Sequence, residues 1–103
     1  MATKILLVCA AGMSTSMLVS KMKKAAEADG IDAEIQATAA SDAGNIIAEM
    51  HPDVLMLGPQ VRYMEDDFKK RVDIPVEVIN MQDYGLMKGD NVLKSALALA
   101  GQK

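Results

Sequence analysis

Four short apolar runs, at residues 4–9, 33–38, 53–57 and 76–79, alternate with longer segments in which hydrophobic residues recur every three or four positions. The short runs predict strands and the 3.6-residue spacing between them predicts helices. A first helix is expected from Ser14 to Ala28, with Met17, Leu18, Met22, Ala25 and Ala26 facing inward and Lys21, Lys23, Lys24 and Glu27 outward. Asp29-Gly30 supplies its stop. Ser41 and Asp42 are placed to cap a second helix that buries Ile46, Ile47 and Met50, and Pro52 prevents its continuation. A third helix near 60–71 turns Val61, Met64 and Phe68 inward. Its acids Glu65, Asp66 and Asp67 precede its bases Lys69, Lys70 and Arg71, an order that suits the helix dipole and a solvated face rather than catalysis. Asp90 or Asn91 is expected to cap the last helix, whose buried stripe is Val92, Leu93, Ala96, Leu97 and Ala100.

Strands alternating with helices predict an α/β fold with an open, four-stranded parallel sheet and helices on both faces. The runs Ile5 to Val8 and Val54 to Leu57 are continuously apolar, as expected of central strands covered on both sides. The second strand alternates Ala33, Ile35 and Ala37 with Glu34, Gln36 and Thr38, and the fourth is short and contains Glu77, so both read as edges. The strand order 2-1-3-4 follows. Its topological switch lies between strands 1 and 3, and open α/β sheets bind ligands at the carboxyl ends of the strands beside that switch. The loops at that place are Cys9 to Ser16 and Gly58-Pro59-Gln60.

The same place is selected by loop chemistry. Cys9 ends the first strand and is followed by Ala10-Ala11-Gly12-Met13-Ser14-Thr15-Ser16, a run of mostly small residues that opens a helix. Such a loop leaves backbone N–H groups free to converge on an anion, and the helix adds roughly half a positive charge at its N-terminus. Cysteines in such settings are held as nucleophilic thiolates more readily than free thiols. A cysteine at a strand end packs equally well as a small hydrophobe, but Gly12 and the three hydroxyl residues that follow are what an anion loop requires. The expectation is a cysteine that is transiently phosphorylated.

Composition narrows the alternatives. The 103 residues, 50% of them hydrophobic, suit one domain spanning residues 1–103 with a packed core. A net charge of −3 with dispersed Lys and Arg lacks the basic footprint of a nucleic-acid binder. Tyr63, Tyr84 and Phe68 are too scattered for a base-stacking platform. The apolar stretch after Met1-Ala2-Thr3-Lys4 is too short for a signal peptide or a membrane span, so no membrane insertion is expected. A single cysteine cannot form an internal disulfide, which fits a reducing, cytoplasmic compartment.

A cysteine phosphatase or arsenate-reductase-like enzyme on the low-molecular-weight tyrosine phosphatase fold is the main competing class. It needs a fixed cation for the transferring phosphoryl group, commonly an arginine six residues beyond the nucleophile, and usually an acid for the leaving group. Here that position is Thr15. Backbone amides and the hydroxyls of Ser14, Thr15 and Ser16 are suited to holding a phosphoryl group on sulfur, without a side-chain cation in the loop to drive hydrolysis. A carrier that keeps the group and passes it on fits better. No G-x-x-x-x-G-K-[ST] loop is present, so direct use of a nucleotide is not expected. An inert Cys9 would instead mark a pure interaction module, and a thiol that cycles with oxidants without taking phosphate a redox protein.

The segment Ile5-Leu6-Leu7-Val8-Cys9-Ala10-Ala11-Gly12-Met13-Ser14-Thr15-Ser16-Met17-Leu18-Val19 resembles the active-site segment of the lactose/cellobiose/chitobiose-type enzyme IIB of the bacterial phosphoenolpyruvate-dependent sugar phosphotransferase system. The resemblance extends through Leu57-Gly58-Pro59-Gln60-Val61-Arg62-Tyr63-Met64, Pro75-Val76-Glu77-Val78-Ile79 and Tyr84-Gly85. It implies a four-stranded parallel α/β domain. It also implies that Cys9 accepts a phosphoryl group from a histidine of enzyme IIA and gives it to a sugar bound by the membrane permease IIC. Residues 10–16 become the phosphate loop, and no cofactor is called for.

The remaining polar residues are read against that site. His51, the single histidine, precedes Pro52 at the opposite end of the sheet from Cys9 and is expected to be a solvated loop residue, since a base must come within about 3 Å of its proton. One Cys and one His at opposite ends form no metal-ligand set. Gln60 and Tyr84 lie on loops at the Cys9 end, suited to supporting the phosphate loop or meeting a partner. Met17, Met22, Met50, Met56 and Met64 fit core positions, whereas Met13 projects from the loop, as an apolar contact for a partner or folded back on the core. A direct test of the amide cradle is Gly12→Val. It should leave circular dichroism and thermal unfolding close to wild type while blocking phosphoryl transfer to Cys9, because a branched side chain obstructs backbone approach to the phosphate.

Overall fold

The computed structural model describes residues 3–9 and 13–101. Its first strand, β1 (Thr3–Cys9), buries Ile5, Leu6, Leu7 and Val8 completely. Successive strand side chains point to opposite faces, so four consecutive buried residues require cover on both sides. The chain supplies it with α1 (Met13–Ala28), β2 (Ala33–Ala39), α2 (Ala43–Met50), β3 (Val54–Leu57), α3 (Glu65–Arg71), β4 (Val76–Val78), α4 (Met81–Gly85) and α5 (Gly89–Ala100), together with 3₁₀ turns at Ala40–Asp42 and Pro59–Met64. The strand pairings are parallel and the order is β2-β1-β3-β4, as the burial pattern of the sequence requires.

Alternation along β1 divides the interior in two. Ile5 and Leu7 join Leu18 and Met22 of α1 and Val92, Leu93 and Ala96 of α5 in one core. Leu6 and Val8 join Ala43 and Met50 of α2, Val61 and Phe68 in the other. β3 repeats the division, Val54 and Met56 facing the first core and Leu55 and Leu57 the second. Asp53 registers the two central strands at their amino ends: its carboxylate accepts from the Lys4 N–H at 2.8 Å, and its own N–H donates to the Lys4 carbonyl at 2.7 Å.

Several elements depart from expectation. α1 begins at Met13, one residue early, and Met17 is 60% exposed rather than buried. Met17 shares its helical face with the exposed Lys21 and Lys24, while the buried stripe runs through Leu18, Met22 and Ala26. Thr38, expected to point outward, is buried opposite Val8 beside the Ala40–Asp42 turn. Asp42 stands at the N-cap of α2 without capping the helix backbone, its carboxylate accepting instead from Asn45 Nδ2 at 3.1 Å, and Ser41 lies inside the preceding turn. The expected helix over 60–71 is divided by the 3₁₀ segment, which bends at Val61 (φ −116°, ψ 22°) before α3 starts at Glu65. Val61 and Phe68 are buried as predicted, and Met64 is half-buried.

The charge run of α3 is structural. Lys69 pairs with Glu65 at 3.3 Å, Arg71 lies 3.9 Å from Asp67, and the Arg71 guanidinium also rests over the Phe68 ring, 5.0 Å from its centroid. α4 was not expected. Asn80 starts it, its side-chain oxygen accepting from the N–H groups of Gln82 at 2.9 Å and Asp83 at 3.2 Å. Because α4 turns the chain early, α5 starts at Gly89 rather than after Asp90 or Asn91, and the Asn91 side chain instead donates to the Asp83 carboxylate at 3.2 Å.

Gly89 is where α5 meets α1. A Cβ at this position would stand 2.7 Å from both the Lys21 carbonyl carbon and the Met22 nitrogen, backbone atoms that cannot rotate away. Gly89→Ala should therefore lower unfolding free energy by about 1–3 kcal/mol, the usual range for overpacking, measured by urea denaturation with the slope of the transition unchanged. Wild-type stability would show that the two helices separate freely.

Candidate functional site

Cys9 is the last residue of β1, paired with Ala39 of β2 and 2% exposed. It therefore stands at the carboxyl end of a central strand, at the switch between β1 and β3. Of the predicted phosphate loop, Ala10, Ala11 and Gly12 lie outside the described residues, while Met13, Ser14, Thr15 and Ser16 form the first turn of α1. The peptide units that follow Cys9 thus run into the amino end of a 16-residue helix, where backbone N–H groups and the helix dipole favour an anion.

The second wall comes from the end of β3. The Gly58 N–H donates to the Val8 carbonyl at 2.7 Å, and the Gly58 carbonyl accepts from the Val61 N–H at 3.0 Å, which folds the chain into the 3₁₀ turn. Gly58 is buried hard against the cysteine. A Cβ there would lie 3.5 Å from the Cys9 Cβ, 3.4 Å from the Val8 carbonyl oxygen and 2.7 Å from Gln60 Oε1. Gln60 thus curls back over Gly58, and its Nε2 donates to the Tyr84 hydroxyl at 3.0 Å. Two residues that the sequence assigned separately to the site are one hydrogen-bonded pair. The half-buried Tyr84 ring packs against the core that contains Leu18, Met22, Val92 and Leu93.

The chain matches the family described as "PTS system, Lactose/Cellobiose specific IIB subunit" over residues 4–95, a span that includes every element from β1 to the first half of α5. The chain belongs to this family. Among curated relatives, the galactose-specific EIIB component of Lactococcus lactis subsp. cremoris and the cellobiose-specific EIIB component of L. lactis subsp. lactis are each 52% identical, with 93% of this chain and 95% of theirs covered. The oligo-beta-mannoside-specific EIIB component of Bacillus subtilis is 40% identical over 93% of this chain and 94% of its own. The solution structure of a cellobiose-specific IIB component from Borrelia burgdorferi superposes with a TM-score of 0.81 at 39% identity, covering 100% of this chain and 95% of that one. The lactose-specific IIB domain of Streptococcus pneumoniae shares the fold at a TM-score of 0.82 and 21% identity, covering 96% of this chain and 98% of that one. This IIB chain is therefore a sugar phosphotransferase component of the lactose/cellobiose type.

Elsewhere the IIB fold carries less chemistry. His51 closes α2 in a left-handed conformation (φ 51°), its N–H donating to the Ile47 carbonyl at 3.0 Å. It is exposed beside Thr3, Lys4 and Asp53 at the amino ends of the strands, the opposite end from Cys9. Among the described residues no group of three His, Cys, Asp or Glu is arranged to hold a metal ion, and no helix is long and apolar enough to cross a membrane.

Among the described residues four large apolar side chains are exposed. Met17, Tyr63, Met81 and Leu86 are 60–78% exposed. Met17 is in the second turn of α1, Tyr63 follows β3, and Met81 and Leu86 belong to the segment after β4. All four stand on segments that follow the carboxyl ends of β1, β3 and β4.

The crowding at position 58 has a measurable consequence. In Gly58→Ala the new methyl group displaces the Gln60 carbonyl and breaks the Gln60–Tyr84 bond, while the flexible side chain yields cheaply enough to spare the fold. Two-dimensional NMR should show the Gln60 side-chain amide signals moving while the backbone amides of α5 keep their positions.

Proposed function

We propose that this IIB chain is a phosphocysteine carrier that accepts a phosphoryl group on Cys9 from a phosphohistidine of enzyme IIA and delivers it to a sugar held by the membrane permease IIC. The observation that carries this reading is the position of Cys9 at the end of a central strand, between the amino end of α1 and the tightly packed Gly58. The sulfur attacks phosphorus in line with the leaving imidazole nitrogen: the S–P bond forms, the N–P bond breaks, and the nitrogen keeps the electron pair. Loop amides receive the equatorial oxygens, a preorganised stabilisation that needs no metal.

The second transfer reverses the roles. A sugar hydroxyl oxygen forms the new O–P bond, the S–P bond breaks, and the thiolate is regenerated. The hydroxyl proton passes to a base of the permease, because His51, the single histidine of the chain, is at the far end of the sheet. Thr15 stands where a phosphatase loop carries its arginine, which favours retention of the group over hydrolysis. The apolar side chains of Met17, Tyr63, Met81 and Leu86 support docking of a protein donor, since such a surface is costly to expose unless a partner covers it. Sugar choice is assigned to the permease. The two relatives at 52% identity, named for galactose and for cellobiose, are equally similar to this chain.

Incubation with phosphorylated IIA followed by mass spectrometry of the intact chain should show one added phosphoryl group on wild type and none on Cys9→Ser. Wild-type labelling of the serine variant, or phosphate mapped to His51, would overturn the proposal.

A further inference from the structure

We infer that Gln60 and Tyr84 act together as a positioning clamp for phosphoryl transfer at Cys9, neither residue carrying the group itself. The inference rests on the phosphocarrier reading and adds to it the device that aims the sulfur. The hydrogen bond between the Gln60 amide and the Tyr84 hydroxyl, 3.0 Å long, joins the 3₁₀ turn after β3 to α4 after β4, segments 24 residues apart.

The chain of contacts runs from the interior to the nucleophile. The Tyr84 ring is anchored against the α1–α5 core, and its hydroxyl accepts from Gln60 Nε2. The other end of the same amide, Oε1, lies over Gly58, 2.7 Å from where a Cβ would be, and that point is 3.5 Å from the Cys9 Cβ. Gln60 is thus held at the Nε2 end of its amide while Oε1 sits over the bare Gly58 backbone, although it is an exposed residue whose free rotamers would otherwise be favoured. An exposed neutral hydrogen bond between two side chains contributes little to folding. Its placement beside the sulfur gives it a different use. In-line attack tolerates only small errors in angle and distance, and Gly58, which packs against the cysteine, lies just beyond the end of β3. A clamp on the Gly58–Gln60 segment limits the positions open to Cys9 without touching the incoming donor. Its loss should therefore lower the rate of the transfer step and leave donor binding intact.

The test is a double-mutant cycle on the full chain with Gln60→Ala, Tyr84→Phe and the combined variant. Single-turnover transfer is measured at increasing concentrations of a lactose/cellobiose-type enzyme IIA phosphorylated on histidine, with thermal unfolding followed in parallel. Tyr84→Phe retains the half-buried ring and removes only the hydroxyl. Each single change should slow the limiting rate about three- to tenfold, the range expected for one neutral hydrogen bond. The donor concentration at half-saturation should stay within about twofold of wild type. The combined variant should be no slower than the slower single, because the two side chains form one unit. Wild-type limiting rates in both single variants, losses that multiply in the combined variant, or losses confined to half-saturation would each overturn the clamp. Acceptance of phosphate by wild type with unaffected variants overturns the clamp alone, whereas a wild-type chain that takes no phosphate overturns the carrier reading and the clamp together.

Discussion

The burial of β1 on both faces is the constraint from which the rest of the structure follows. Ile5 and Leu7 enter one core and Leu6 and Val8 the other, so the strand is stable only while helices cover both sides and strands flank both edges. That requirement places α1 and α5 on one face and α2 and α3 on the other. It also places the end of β1 at the point where the connections diverge, the one from β1 leading through α1 to β2 and the one from β3 leading through α3 to β4 on the other side. Cys9 occupies that point because it is the next residue after the last fully buried one. A side chain there is carried by a strand that is buried and paired on both edges, next to the loop that leaves its end.

The same architecture explains why the site is assembled from loops that pack closely. Gly58 approaches Val8 and Cys9 through a backbone hydrogen bond of 2.7 Å, and the absence of a side chain lets Gln60 fold over it. Exposed apolar residues on the surrounding segments offer a surface for another protein. These features suit the proposed covalent relay, in which the reacting group arrives attached to a partner. A protein-borne phosphohistidine needs an accessible rim and a rigid nucleophile more than an enclosed cavity, and the proposed mechanism draws on both.

Much of the fold was legible because hydrophobic periodicity reports burial directly. The continuous runs in β1 and β3, against the alternation in β2 and the brevity of β4, are sufficient to order the sheet. Where reading failed, neighbours decided. Met17 is apolar but lies on the lysine face of α1, and Thr38 is polar but ends β2 where the next turn covers it. α4 is only five residues long, too short for a periodic signal. Its one local mark was Asn80 three residues ahead of Asp83, a cap pattern that stands in the sequence and was available to be read. The third helix was read through its kink because Val61 is buried whether its backbone is helical or bent.

The sequence by itself determined the sheet order, the two-sided cover of β1, the end of the sheet at which Cys9 stands and, through the run from Ile5 to Val19, the family. All of these depend on local composition, on the alternation of side chains along strands and helices, and on residues contiguous in the chain. Only the tertiary structure decided that Gln60 and Tyr84 meet, that Gly58 presses against Cys9, that Gly89 lets α5 rest on the α1 backbone, and that Met17, Tyr63, Met81 and Leu86 stay exposed. The physical reason is range: periodicity records which side of an element is buried, whereas distances between loops arise from how separate elements close over a shared core, and no single segment encodes them.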